Sequence, residues 1–371
     1  MMGIVSNIKD PVKRSLYQVE RFFNKRLYKN VRARFGWITP HTLLAGYHHQ
    51  NTERLGHLGD VADMRISNNA CWMNKSGNAV YNDIYDPYEK YDVVIFVKAM
   101  DDACQKEAQK IQSYGGKVVF DANVNYYKIW GTYDIPGTQP TAQQQHDAIQ
   151  MTRLADWVVA DSTYLQDIIT EFNPNVTWIP DNVDLSIFNQ QRQHKEQKTL
   201  KLIWSGVDKK AHHLLEIKNV LQEVKNLEIV IVSNAPPEIL PELETVVPCR
   251  FVAYSHKKYA QILSQSDIII SPRRLNNGYA LGHTEYKITL GMAVGLPAVT
   301  SPQQSYIEAI SYLGGGYVAN NSDEWVEALT TLATHVHIRK DLGNKARQTV
   351  LDNYQTSAIA KRYLDVLETL L

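Results

Sequence analysis

The stretch Asp267–Tyr306, DIIISPRRLNNGYALGHTEYKITLGMAVGLPAVTSPQQSY, constrains the fold more than any other part of the chain. An apolar run, Ile268–Ile270, closes in Ser271 and Pro272. A loop with Asn276, Asn277 and Gly278 follows. A helix is then expected from about Thr284 to Gly295, and a short strand over Pro297–Thr300. Strand, loop, helix and strand in that order make a parallel unit, and such units bind ligands at the carboxyl ends of their strands. The first N–H groups of a helix lack intrahelical partners and attract anions. His283, Thr284, Glu285, Tyr286 and Lys287 therefore stand where an anionic ligand would meet this unit.

The same pattern recurs on both sides. YDVVIFV (91–97), KVVF (117–120), WVVA (157–160), LKLIW (200–204) and LEIVIV (227–232) are short and almost continuously apolar, as strands buried on both faces are. Polar residues stand at the ends of three: Asp121 and Asn123, then Asp161 and Ser162, then Ser205 and Gly206. Further strands are expected over Phe35–Thr39, Val61–Ile66 and Arg250–Tyr254. Helices are expected over 101–114, 142–154, from Thr163, and over 211–226, 257–266, 305–313 and 341–354, with another capped by Ser322. Residues 127–142, with two glycines and two prolines, read as a loop that could face an acceptor. The polar run NQQRQHKEQK, 189–198, reads as a linker. The chain is thus α/β, with two Rossmann-like doubly wound parallel-sheet domains over 1–188 and 199–356.

Composition limits the partners. Lys+Arg and Asp+Glu both number 39 in 371 residues, so no global field points to nucleic acid. Cys71, Cys104 and Cys249 are odd in number and scattered, which gives no disulfide or metal framework and favours a reducing cytoplasm. The first 30 residues are polar and basic without an apolar core, so no secretory signal is expected. No run approaches the ~20 apolar residues that span a bilayer. Residues 10–34 are expected to form one amphipathic helix, capped by Asp10 with Pro11 in its first turn, and its polar face is strongly basic. One reading lays that face on an anionic membrane surface, the inner face for a cytoplasmic protein. The other leaves it solvated. The adjacent His48 and His49 lack a third ligand at useful spacing, so no metal site is expected.

Several segments carry a family resemblance. LGMAVGLPAVTS resembles the "EAMA-G-P-V-V-S" segment of the group-1 glycosyltransferases, which have the GT-B fold. In the same order stand "ADS" at 160–162, "IPDNVD" at 179–184 with Phe188, "WSG" at 204–206 with Lys209 and Lys210, and "LG-x-x-AR" at 342–347. The resemblance spans roughly 156–354. The chain departs from the family at Gly282 and Leu290, where many members have two glutamates, and lacks an arginine after Gly206.

The resemblance implies two domains facing a central cleft, with the C-terminal helix, 357–371, crossing back to the first. It implies a retaining, metal-independent glycosyltransferase with a nucleoside-diphosphate sugar as co-substrate and no other cofactor. Gly206 would allow close approach of the nucleotide, and Lys209 and Lys210 would pair with phosphate. Arg273 and Arg274 would replace the absent arginine or lie solvated. Glu285, Lys210 and Asp121 are the catalytic candidates. His48, Asn51, Arg54 and Asn123 are the candidates for binding a sugar, glycan or lipid-linked acceptor. Two other readings remain open: a sugar-nucleotide epimerase on the same fold, with Glu285 and Asp121 as acid and base, and a silent nucleotide-binding partner protein. The oligomeric state is not legible.

Overall fold

The computed structural model describes residues 31–39, 63–77 and 79–371. They form two compact units. The first takes the described residues up to Lys128, then Pro140–Asn182 and Thr356–Leu371; the second takes Ile129–Gln139 and Val183–Gln355.

The first unit holds β1 (Ala33–Ile38), a π-helical turn Asp63–Ser67 running into α1 (Asn68–Lys75), β2 (Val80–Ile84), β3 (Val93–Val97), α2 (Asp102–Ser113), β4 (Lys117–Ala122), α3 (Ala142–Leu154), β5 (Trp157–Ala160), α4 (Thr163–Ile169) and β6 (Val176–Trp178). All its strands are parallel, in the order β2-β1-β3-β4-β5-β6. The apolar runs are continuous because both faces are covered. Val94, Phe96, Val118 and Phe120 enter one core, and Val93, Ile95, Val97 and Val119 the other. Helix starts follow local chemistry. Asp101 Oδ1 accepts the Cys104 N–H at 2.9 Å, Thr141 and Gln144 form a capping box, and Ser162 Oγ accepts the Leu165 N–H at 3.3 Å.

The second unit holds β7 (Leu200–Ser205), a 3₁₀ helix Asp208–Ile217, α5 (Lys218–Glu223), β8 (Leu227–Ser233), α6 (Leu240–Glu244), β9 (Cys249–Ala253), α7 (His256–Ser264), β10 (Ile268–Ser271), α8 (Gly278–Leu281), α9 (Tyr286–Ala293), β11 (Ala298–Thr300), α10 (Gln304–Ser311), β12 (Gly316–Val318), α11 (Ser322–Thr334) and α12 (Val336–Asn353). Its sheet is also all parallel, ordered β12-β11-β10-β7-β8-β9. The strand order reverses between β7 and β10, which pair through Ile268↔Leu202 and Ile269↔Ile203. At such a reversal the flanking connections diverge to opposite faces and leave a crevice beyond the strand ends. The last helix, α13 (Thr356–Thr369), returns to the first unit. It buries Ile359, Tyr363 and Leu367 in the same core as Val93 and Ile95.

Several expectations change. Of the helix expected over 10–34, residues up to 30 lie outside the described residues, and its last positions open β1 instead. Arg34 leaves that strand to pair with Asp83 and Glu89 at 3.5 and 3.4 Å. Val61–Ile66 is not a strand where it is described. Asp63–Ser67 is helical, and Asn69 Nδ2 bonds the Arg65 carbonyl at 2.9 Å. Residues 189–198 are no free linker. The Arg192 N–H donates to Val294 O at 2.7 Å, and its guanidinium pairs with Asp267 at 2.7 Å. The first unit ends at Asn182 and not at 188, because Val183 and Phe188 are buried in the core of the second.

One polar cluster is buried at the strand ends of the first unit. Arg65, 0% exposed, donates from Nε and Nη2 to both oxygens of Asp121, at 3.1 and 2.9 Å. Its Nη1 reaches Asp181 Oδ1 at 3.2 Å and Ile179 O at 2.9 Å. The Tyr363 hydroxyl donates to Asp121 Oδ2 at 2.5 Å. Removing one partner of such a pair leaves a buried charge uncompensated, which costs on the order of 3–5 kcal/mol. Arg65→Met is therefore expected to lower the urea midpoint sharply. Lys106→Met, which removes an exposed pair with Asp102, is expected to change stability by less than about 0.5 kcal/mol. Equal midpoints for the two variants would show that the buried cluster carries no such load.

Candidate functional site

The second unit's crevice is built from the two strands at its reversal and the segments that leave them. After β7 the chain passes Gly206, whose N–H donates to Val232 O at 3.1 Å, and enters the 3₁₀ helix. With three residues per turn, side chains three apart stack in line. Lys210, His213 and Glu216 thus form one row, and all three line a cavity of about 210 Å³. In an α-helix the same residues would drift around the axis.

After β10 come Arg273 and Arg274, which part company. Arg273 is 9% exposed. Its N–H donates to Ser301 Oγ at 2.8 Å and its Nε to the Tyr306 hydroxyl at 3.2 Å. Arg274 turns to two carboxylates, Glu216 at 2.5 Å and Asp134 at 3.1 Å. Its charge is spent on that bridge. Helix α8 brings Tyr279, whose hydroxyl accepts from Lys210 Nζ at 2.9 Å; the same ammonium lies 3.0 Å from His283 Nε2. Helix α9 brings Lys287. A Cβ on Gly206 would stand 2.7 Å from Lys287 Nζ and 2.8 Å from the Trp204 ring, so only glycine leaves room there.

Three cations thus converge, and each sits over an aromatic ring. Lys210 is 5.0 Å from the Tyr279 centroid, Lys287 5.1 Å from Trp204, and Arg273 5.7 Å from Tyr306. A ring face attracts a cation without cancelling its charge. Among the described residues, no carboxylate lies within ion-pair distance of Arg273 or Lys287. Burial, then Arg273 and then Lys210, hold the Lys287 ammonium well below its ordinary pKa. Burial and the surrounding cations lower His213 to about 3, which keeps its imidazole neutral. Its Nδ1 accepts the Arg274 N–H at 3.4 Å. An arrangement of this kind can receive a polyanion and stabilise charge that develops on it.

Of the residues expected from sequence, Gly206, Lys210, Arg273, His283 and Lys287 come together here. Glu285 is 1% exposed at the N-cap position of α9. Thr284 Oγ1 accepts the Tyr286 N–H at 3.4 Å, and Tyr286 packs on the core. Lys209 is exposed and does not line the cavity. Asp121 belongs to the buried cluster with Arg65, so both its oxygens are occupied by structural partners. Asn123 donates to Asp121 Oδ1 at 3.3 Å. His48, Asn51 and Arg54 lie outside the described residues. Sequence reasoning missed Tyr279 and His213, and it read 129–139 only as part of a loop that could face an acceptor, whereas the segment folds into the second unit and lines this cavity. The three-residue spacing of Lys210 and His213 was a usable signal only for a 3₁₀ helix.

The depressed Lys287 has a thermodynamic signature. The unfolded chain binds this proton more tightly than the folded one, so stability rises with pH between the depressed value and about 10.4. Stability is correspondingly lost as pH falls from about 10.4 through that window. Lys287→Met removes this component. Its stability, measured by denaturant titration at several pH values, is expected to exceed that of the unaltered protein near neutral pH and to converge with it at alkaline pH. A difference that does not change with pH would contradict a strained ammonium at this position.

The chain has recognisable relatives. Residues 201–335 match the family model described as glycosyl transferases group 1. No curated protein matches the chain by sequence. Among solved structures, the sucrose-phosphate synthase of Thermosynechococcus elongatus is similar at a TM-score of 0.59 and 12% identity, covering 76% of this chain and 74% of that one. A glycosyltransferase from Rickettsia africae ESF-5 is similar at 0.57 and 13%, covering 92% and 99%. HepE of Anabaena, solved with UDP and glucose, is similar at 0.56 and 12%, covering 75% and 78%. At these identities the likeness to solved structures is one of fold, and the architecture it supports is GT-B. The chain has that fold, and its residues 201–335 match the group 1 glycosyl transferases.

Proposed function

We propose that the crevice of the second unit binds the diphosphate of a nucleoside-diphosphate sugar, and that the protein transfers the sugar to an acceptor hydroxyl of a glycan, lipid-linked or small molecule. The observation that carries this reading is the trio Lys210, Arg273 and Lys287, seated on aromatic rings at the sheet's reversal. In the transfer, the bond from the sugar's anomeric carbon to the diphosphate oxygen breaks. A bond from that carbon to the acceptor oxygen forms, and the acceptor proton passes to a phosphate oxygen. The leaving diphosphate gains negative charge, and each preorganised cation aimed at it is worth on the order of 3 kcal/mol. Three such cations can do this work without a divalent metal. Retention of configuration is proposed with the family resemblance as its support. Glu285, buried beside the first turn of α9, is assigned to sugar or ribose hydroxyls.

An epimerase would need an acid and a base on the donor sugar. Asp121 was one of the two candidates, and its carboxylate is already committed to Arg65 and Tyr363. The observations therefore favour transfer. Uridine diphosphate is the first nucleotide to test, since HepE was solved with it. In calorimetric titration with UDP, Lys210→Ala and Lys287→Met are each expected to weaken binding about tenfold or more, the loss of a charge-assisted hydrogen bond. Lys209→Ala is expected to change it less than about twofold, as for an exposed charge. If guanosine, adenosine and uridine diphosphates all bind a variant carrying both Lys210→Ala and Lys287→Met as they bind the unaltered protein, the assignment fails.

A further inference from the structure

The cavity that begins at Lys210 and Arg273 has a wall from an unexpected part of the chain. Residues Ile129–Gln139 lie between β4 and α3 in sequence, both elements of the first unit, yet they fold into the second as a strap. They are attached mainly through backbone. Gly131 makes an antiparallel bridge to Asn277. The Thr132 N–H donates to Asn276 O at 3.2 Å, and the Gly278 N–H donates to Trp130 O at 3.2 Å. Asn277 closes both sides of the joint: its Nδ2 donates to Thr132 O at 2.7 Å, and its Oδ1 caps α8 through the Ala280 N–H at 2.8 Å. Gly131 has φ of +86°, and a Cβ there would meet Asn276 O at 1.9 Å. No other residue fits that approach. Asp134 then reaches Arg274, which also holds Glu216, so strap and 3₁₀ helix share one guanidinium.

This places Asp134, Ile135 and Thr138 on the cavity lining, facing the row that starts at Lys210. A volume of about 210 Å³ is below the ~300 Å³ at which pockets begin to enclose a drug-sized ligand. It suits one moiety of a nucleotide sugar and not the whole. The lining suits a hydroxylated ring better than a flat base. Asn276 brings an amide, and Asp134 and Glu216 bring carboxylates that meet Arg274 through one oxygen each. Tyr279 is no free stacking platform, because its ring is engaged by His283, edge-on at 4.7 Å, and by Lys210.

We propose that the strap Ile129–Gln139 is the specificity-determining wall of the donor pocket, with Asp134 and Ile135 reading the sugar ring attached to the diphosphate. This rests on the reading of the crevice as a donor site. It adds that choice among sugars is made by residues inserted from between β4 and α3.

The test is calorimetric titration of the full chain with UDP and with UDP-glucose, UDP-galactose and UDP-N-acetylglucosamine. The unaltered protein is expected to rank the three sugars. Asp134→Ala is expected to shift the ratio of affinities between best and worst sugar by about tenfold, the size of one lost polar contact, and Ile135→Ala by a similar factor through lost apolar contact with the ring, while UDP itself binds within about twofold of the unaltered protein. Gly131→Val, which detaches the strap, should compress the same ratio. Should Gly131→Val not fold, the two side-chain variants still decide the matter, since both sites are partly exposed. UDP and sugar binding with an unchanged ratio in both side-chain variants overturns the role of the strap alone. Absence of binding by UDP and all three sugar nucleotides overturns the donor-site reading together with it.

Discussion

Lys287, Arg273 and Lys210 each rest on the face of an aromatic ring, and the first two have no carboxylate within ion-pair distance among the described residues. The rest of the second unit can be understood as the means of holding this unfavourable set together. Like charges at close range repel, and salt screens them little in a partly buried site. A ring quadrupole offsets part of that repulsion while leaving the charge in place. A carboxylate in the same position would relieve more of that repulsion and neutralise the charge. Trp204 lies in β7, Tyr306 in α10 and Tyr279 in α8, so the supports come from three separate elements. The framework they share is the β7–β10 pairing, where the strand order reverses.

The first unit makes an instructive contrast. It too gathers charged groups at the carboxyl ends of parallel strands, around Arg65, Asp121 and Asp181. There the cation meets two carboxylates and a carbonyl and is buried completely. Asp161, at the end of β5, is held well above the usual carboxylate range by burial and then by Asp181. Strand ends alone therefore do not mark a ligand site. Charge pairing separates the two cases: the Arg65 guanidinium meets two carboxylates of its own unit, while Arg273 and Lys287 have none within ion-pair distance among the described residues.

The buried strands were legible in the sequence because a strand covered on both faces must be apolar throughout, and YDVVIFV, KVVF and LEIVIV leave little choice. The order of apolar run, helix and strand over 267–300 matches β10, α9 and β11, with the short helix α8 standing where only a Gly/Asn loop was expected, and the crevice beside them gathers Gly206, Lys210 and Lys287. Other parts were not legible, for physical reasons. β2, VYNDI, is an edge strand with polar residues, and its Asn82 is buried only because Trp37 and Asn74 bond to it. Asp121 looked like a ligand because nothing in sequence announces Arg65, 56 residues earlier, as its partner. Residues 189–198 looked like a linker because they are polar, yet Arg192 and Gln197 both serve the buried Asp267. The strap read only as a loop that could face an acceptor, because an attachment made mainly through backbone leaves little side-chain signature of where the segment docks.

Neither unit is a contiguous piece of the gene. Cutting the chain at residue 182 would yield a C-terminal fragment deprived of 129–139 and still carrying the terminal helix that its counterpart needs. Chimeras that exchange one half for that of a relative would inherit a pocket wall from one parent and a pocket floor from the other. A recombinant of that kind would be mismatched in the cavity lined by Asp134 and Lys210, even with both sheets intact. A transplant that respects the architecture moves the eleven-residue insertion together with Val183–Gln355.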